Sequence, residues 1–219
     1  MYVLQRERRM IKVNIFGKEY DFPTSWNDIT MKEYCKLFHN LPQGTLEADE
    51  NDELADVIEK EAVIISRLLK EKDDFALNIP IDVFVFLQDN CKFLYEIEDF
   101  MKSKIFYLKI DGRKYWIPEP KDMSLRQYID SDMIMKEESE NQFIELLACL
   151  LLPYDEEGKY EYDGKYEDLI PKIENMRASD GLPFVYTFFK KKELSKKLME
   201  TSSKVEEAAD QLLHSIQGS

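Results

Sequence analysis

The feature that most constrains the fold of this chain is a stretch that occurs twice. The stretch that begins at Ile15 returns, with one gap, from Ile110. Identical residues occupy corresponding positions, which are Gly17/Gly112, Tyr20/Tyr115, Pro23/Pro118, Asp28/Asp122 and Tyr34/Tyr128. Because an internal repeat normally reflects a repeated structural unit, this pattern predicts two modules that fold alike.

Each copy begins with the pattern of a β-hairpin. Residues Lys12–Phe16 alternate apolar and polar side chains, as a strand with one buried face does. Gly17 and Gly112 predict tight turns, since glycine adopts a positive φ at little steric cost. The strand that returns after each glycine ends at a proline, Pro23 or Pro118, which cannot donate a ladder hydrogen bond.

A capped helix is predicted to follow each hairpin. Thr30 stands three residues before Glu33, and Ser124 stands three residues before Gln127. Both pairs fit the capping box, in which the hydroxyl accepts from the third helical amide and the longer side chain reaches back. Each copy is therefore interpreted as a hairpin, a short loop and a capped helix.

The similarity continues more weakly beyond these units. Apolar helical segments follow at Leu54–Lys70 in the first copy and at Asn141–Leu152 in the second. The copies differ in their insertions, which are an acidic loop at Gln43–Asp56 and a tyrosine-rich segment at Tyr154–Tyr166. The alternating tyrosines of the second insertion predict a further hairpin.

The predicted fold is α+β and mainly α-helical: a tandem repeat of a β-hairpin followed by capped helices, with a C-terminal helical arm. We expect a loose leader at 1–10, a first module at 11–105, a second module at 106–193 and the arm at 194–219. The composition agrees, because 44% apolar residues can fill a core and only 7 Gly and 8 Pro favour long regular elements.

The arm is predicted from a heptad spacing of apolar and small residues. These residues are Leu194, Leu198, Thr201, Val205, Ala208 and Leu212. Such a seam packs either on its own domain or on a neighbouring chain. If the neighbour is a second copy, the arm would form a homo-oligomer. Lysines make the start of the arm basic within a chain of net charge −14.

The sequence offers little material for catalysis. His39 and His214 are the only histidines, and neither has a partner at metal-ligand spacing. Cys35, Cys91 and Cys149 form no CxxC pair and lie in apolar stretches, so we expect reduced core thiols. No phosphate-binding loop is present. We therefore predict a non-enzymatic protein without metal or cofactor.

Charge and hydropathy limit the partners. A net charge of −14 disfavours binding to nucleic acid, since such binding depends on Lys and Arg, and it favours basic protein partners. The longest apolar run, Leu146–Pro153, is too short to span a bilayer, and we recognise no signal peptide. The expectation is a chain made in the cytoplasm that binds neither membranes nor specific nucleic-acid sequences.

Aromatic and heptad residues are the candidates for binding protein partners. They are Trp26, Trp116, Tyr160 and Tyr162, together with Leu194, Leu198, Val205 and Leu212 of the arm. Large aromatics dominate the energetics of interfaces, and they also fill cores, so both placements stay open for the four aromatics.

The repeated stretch resembles small structural proteins of tailed bacteriophages, in particular virion proteins of crAss-like phages. The clearest part is Phe16–Tyr34, and Phe143–Pro153, Ile170-Pro171 and Phe188-Phe189 are similar to the same group. The resemblance implies a component of the neck, the tail or the packaged cargo of a virion. It also implies contacts with other phage structural proteins and no catalysis.

Three other functions are weighed against this one. A tail-assembly chaperone would bind phage proteins transiently and never enter the particle. A metal-dependent nuclease would use acidic clusters such as those at Asp49 and Asp155. An acidic decoy of DNA would use the net charge, although the basic start of the arm opposes that role.

Overall fold

The computed structural model of the chain describes residues 10–40, 54–95, 107–154 and 162–190. The first hairpin pairs β1 (Ile11–Ile15) with β2 (Lys18–Phe22) in antiparallel register, so that Ile11 lies opposite Phe22. Its turn consists of Phe16 at φ 53° and Gly17 at φ 83°. Two successive positive φ values are typical of a type I′ turn, whose twist matches that of the flanking strands.

The second hairpin has the same kind of turn. It pairs β3 (Leu108–Ile110) with β4 (Arg113–Trp116), and between them Asp111 has φ 49° and Gly112 has φ 82°. Both predicted glycine turns are thus confirmed. A short third strand, β5 (Leu152–Pro153), pairs antiparallel with β4, whereas the described part of the first sheet has two strands.

Helices make up most of the remaining described chain. They are α1 (Met31–Phe38), α2 (Leu54–Leu68), α3 (Ile81–Asn90), α4 (Leu125–Lys136), α5 (Gln142–Leu150), α6 (Ile170–Glu174) and α7 (178–190). Single 3₁₀ turns lie at Phe75–Asn78, Lys92–Tyr95, Pro120–Asp122 and Glu167–Leu169. The expected mainly helical α+β architecture is confirmed.

The two predicted capping boxes have different outcomes. At the start of α1, Thr30 Oγ1 accepts from the amide of Glu33, and a Glu33 carboxylate oxygen accepts from the amide of Thr30. At the start of α4, Ser124 accepts from the amide of Gln127, but the Gln127 side chain donates to the end of α5 instead. The second box is therefore wrong in its reciprocal half.

Residues from both halves of the chain form one buried cluster. Its members include Phe22 from the first hairpin and Leu147 from α5, each with no exposed surface. Backbone hydrogen bonds tie the start of α1 to the segment before α7, from the Met31 amide to the Met176 carbonyl and from the Ala178 amide to the Ile29 carbonyl. The three cysteines are buried and unpaired, as predicted.

Several predicted features lie outside the described residues. These are the leader up to residue 9, the arm 194–219, Tyr160 and most of the acidic loop at Gln43–Asp56. Within the predicted tyrosine hairpin, described residues 162–166 contain no strand. Among the helices of the described ranges, none is long and apolar enough to cross a membrane.

Candidate functional site

Helix α4 has its polarity reversed relative to an ordinary surface helix. Its inward side carries Gln127 and Ser131, whose exposed fractions are 0% and 1%, beside the apolar Ile134. A helix at a protein surface normally turns an apolar stripe toward the core and polar residues toward water. Hydrogen bonds must therefore replace part of the apolar contact that usually holds such a helix.

Gln127 supplies the main hydrogen bonds under α4. Its Nε2 donates to the carbonyl oxygens of Cys149 at 3.0 Å and Leu150 at 3.4 Å, at the end of α5. A helix leaves its last carbonyls without intrahelical partners. Residue 153, whose N–H would otherwise donate to the Cys149 carbonyl, is a proline and has no N–H group. The amide of Tyr154 donates to the Lys114 carbonyl instead of the Leu150 carbonyl. Gln127 thus satisfies the carbonyl end of α5 while anchoring α4.

Tyr162 attaches the following loop to the same side of α4. Its hydroxyl donates to Asp130 Oδ2 at 2.8 Å and lies 3.4 Å from the sulfur of Cys149. Burial, together with these two contacts, raises the pKa of Tyr162, so the phenol stays neutral. The predicted binding residue Tyr162 therefore acts, within the described part of the chain, as a hydrogen-bonded anchor of α4.

The outer side of α4 is apolar and exposed. Leu125, Tyr128, Ile129 and Met133 are between 44% and 75% exposed, and we call these four residues the α4 face. Leu125, Ile129 and Met133 follow one another at four-residue spacing, so they lie on one side of the helix. An ion pair between Asp132 and Lys136, at 2.6 Å, lies along the same outer surface.

A second apolar surface lies on α3 and the 3₁₀ turn before it. Leu77, Ile81, Val85 and Phe86 are between 46% and 75% exposed, and we call them the α3 face. The buried side of this helix is formed by Phe84 and Leu87. Helix α3 therefore carries apolar side chains on both its buried and its exposed sides, which is more typical of a covered helix than of one in water.

A charged cleft of about 830 Å³ separates the first hairpin from α1 and the end of α2. Its basic and acidic side chains pair with each other: Lys70 lies 2.9 Å from Glu33, and Lys18 binds Glu71. Since cations and anions are both present and neutralise one another, the cleft does not select a ligand of one charge.

The described residues contain no group of three or more His, Cys, Asp or Glu side chains placed to hold a metal ion. His39 contacts the side chain of its neighbour Asn40 at 2.9 Å. The acidic candidates for nuclease chemistry, Asp49 and Asp155, lie outside the described residues.

The predicted binding aromatics have distinct placements. Trp26 is a core residue, 7% exposed, and packs against Phe93 and Tyr34 with ring centroids 5.3 and 5.8 Å apart. Trp116 is half-buried on β4. Tyr160 lies outside the described residues, and so do the four arm residues Leu194, Leu198, Val205 and Leu212.

Sequence reasoning missed the α3 and α4 faces. The available signal for α4 was the placement of Gln127 and Ser131 on the side opposite Leu125, Ile129 and Met133. Reading that pattern alone would have placed the apolar residues in the core. Comparison of the chain with protein-family models, curated proteins and solved structures finds no match.

Proposed function

We propose that this chain is a non-enzymatic structural component of a tailed-phage virion that acts through contacts with other phage proteins. The observation that carries the proposal is the exposure of apolar side chains on the outer side of α3, the α3 face. Exposed apolar clusters of this kind are typical of surfaces that another protein covers.

The composition of the α3 face supports a protein partner. The α3 face includes Phe86, and aromatic residues are enriched in the energetic centres of interfaces. The charge of −14 keeps the free chain soluble and attracts partners with basic rims.

The repeated stretch adds a second argument. The two hairpins have nearly equal φ values at their glycines, 83° and 82°, and each is followed by a helix with a hydroxyl N-cap. We propose that the halves arose by duplication of a hairpin-plus-helix module, and that the heptad segment after residue 194 is an arm. This organisation fits the resemblance to phage structural proteins.

Mass spectrometry of purified particles tests this role. We expect the chain in particles of the phage that encodes it, at a fixed ratio to the other structural proteins. Its presence in infected cells together with its absence from purified particles would contradict the virion role and favour the tail-assembly chaperone.

A substitution on the α3 face tests the mechanism. Ile81→Asp places a charge at the most exposed residue of the face and should lower incorporation into particles, since burying an unpaired charge is costly. Asp82→Asn is a matched control, because residue 82 is exposed on the same helix but already polar. Equal incorporation of both variants would show that the α3 face is not a contact.

A further inference from the structure

The α4 face needs an occupant, and the chain itself offers one. The last described helix, α7, ends beside α4: Phe188 belongs to the same buried cluster as Ile134 of α4. The segment that follows Lys190 therefore starts close to the carboxyl end of α4, where Met133 marks the end of the α4 face. Residues 191–193, when extended, span about 10 Å, which is comparable to the width of a helix.

The length and pattern of that segment match the α4 face. Residues Leu194, Leu198, Thr201 and Val205 recur at four- and three-residue spacing, which places them on one side of a helix. A helix over 194–205 would be about 18 Å long, equal to the length of α4. The segment thus carries an apolar stripe of the size that the α4 face leaves open.

The charges at the start of the segment also match. Lysines occupy positions 190, 191, 192, 196 and 197. The chain that leaves α4 carries Glu137, Glu138 and Glu140, all exposed, at the end where the segment begins. Opposite charges at one end fix the direction in which the segment runs, from Met133 toward Leu125.

We infer that residues 194–205 dock on the α4 face of the same chain, with Leu194 and Leu198 over Met133 and Ile129, and Val205 near Leu125. A second copy is the weaker occupant, because a short tether raises the effective concentration of the segment to about the millimolar range. Docking within the chain leaves the α3 face for other proteins. It does not depend on the virion role.

Cysteine labelling in the full-length protein tests this docking. The native thiols of Cys35, Cys91 and Cys149 are buried, and burial raises their pKa values to about 12, 12 and 11, so they form a slow background. A Met133→Cys variant reports on the α4 face. An Ile81→Cys variant reports on the α3 face, which the segment is not expected to cover.

We expect a maleimide to modify Met133→Cys about ten-fold more slowly than Ile81→Cys, with a ratio that does not change on dilution. Adding Leu198→Asp and Val205→Asp should restore rapid labelling at position 133 and leave position 81 unchanged. Far-UV circular dichroism of each variant checks that the helices are retained.

Three results would overturn the inference. Equal rates at positions 133 and 81 would show an open α4 face, and protection lost on dilution would assign it to a second copy. Protection that survives the two aspartates would assign the cover to another segment. As a second measurement, Ile129→Cys with Leu198→Cys should form a disulfide within one chain on mild oxidation, and disulfide-linked dimers would count against the inference. None of these results bears on whether the chain is found in particles.

Discussion

At the scale of single residues, the two hairpin turns differ in how well their first residue suits its backbone. Phe16 and Asp111 have φ values of 53° and 49°. Aspartate and asparagine tolerate this left-handed region, whereas a bulky aromatic residue is strained there. The Phe16 side chain is 70% exposed, so little burial offsets that strain.

Phe16→Asn should therefore stabilise the protein by about 1 kcal/mol, since Asn-Gly is a preferred type I′ pair. Chemical denaturation gives the free energy of unfolding. The corresponding change in the second hairpin, Asp111→Phe, should destabilise it by at least that amount, because it also removes the ion pair between Asp111 and Lys172 at 2.9 Å. Two changes of the same sign would contradict the equivalence of the two turns.

The stability that Glu33 gives to the N-terminal cap of α1 depends on pH. Burial by itself would raise the pKa of Glu33, but hydrogen bonds from the Thr30 amide and the Lys70 ammonium outweigh it and hold the pKa below 4.5. Because the pKa of Glu33 is lower in the folded state than in the unfolded state, the carboxylate gives its full stabilisation at pH values above the unfolded-state pKa. That stabilisation is lost as the pH falls toward the folded-state pKa.

Glu33→Gln should thus reduce stability at pH 7 by about 0.5–1 kcal/mol, because Gln keeps the cap but loses the pair with Lys70. The difference between the two proteins should shrink as pH falls below 4.5, where the wild-type carboxylate begins to gain a proton. Urea unfolding between pH 3 and 7 measures both curves. A difference that stays constant over that range would show that the Glu33 charge plays no part.

At the scale of elements, side chains from the neighbouring helix satisfy the carboxyl ends of several helices. Arg67 of α2 donates to the Leu37 and His39 carbonyls at the end of α1, at 3.0 and 2.7 Å. Gln142 of α5 donates to the Glu137 carbonyl after α4 at 2.7 Å. Gln127 of α4 does the same for α5. These contacts fix where one helix stops against the next.

Removing one such contact should be costly. Gln127→Leu keeps the size of the side chain but leaves the buried carbonyls of Cys149 and Leu150 without that donor, so we expect a loss of about 1–3 kcal/mol. Ser131→Ala is the control on the same side of α4. Its hydroxyl bonds the Tyr128 carbonyl within the helix, and its loss should cost less. Thermal unfolding of both variants measures the difference, and equal losses would contradict the capping role.

Local elements were predictable from the sequence, and long-range contacts were not. The glycine turns and the Thr30 cap depend on a few consecutive residues. The partner of Gln127 lies more than twenty positions away, so no local pattern distinguishes that contact from a capping box. For the same reason, the exposure of Ile129 and Met133 follows from how α4 is anchored and not from its own hydropathy.

At the scale of the whole molecule, the two predicted modules share a core. Helix α1 from the first half contacts α2, α5 and α6. The hydroxyl of Tyr34 in α1 lies 3.5 Å from the hydroxyl of Tyr186 in α7. Gly181 of α7 lies so close to Met31 that an added Cβ would be 2.7 Å from its sulfur. Because contacts of this kind are buried between the halves, we expect neither half to retain its core alone.

The chain should consequently unfold in one cooperative step. Its two tryptophans report separately, because Trp26 lies in the first half and Trp116 in the second. In Trp116→Phe and Trp26→Phe variants, the fluorescence of the remaining indole follows one half during urea unfolding. In each variant, the midpoint of the fluorescence transition should coincide with that of far-UV circular dichroism. Adding Leu147→Ala should lower the free energy of unfolding that either indole reports by about 2–5 kcal/mol, since Leu147 is fully buried in the shared cluster. If Leu147→Ala moved the Trp116 transition and left that of Trp26 in place, the halves would be independent domains joined only by the chain.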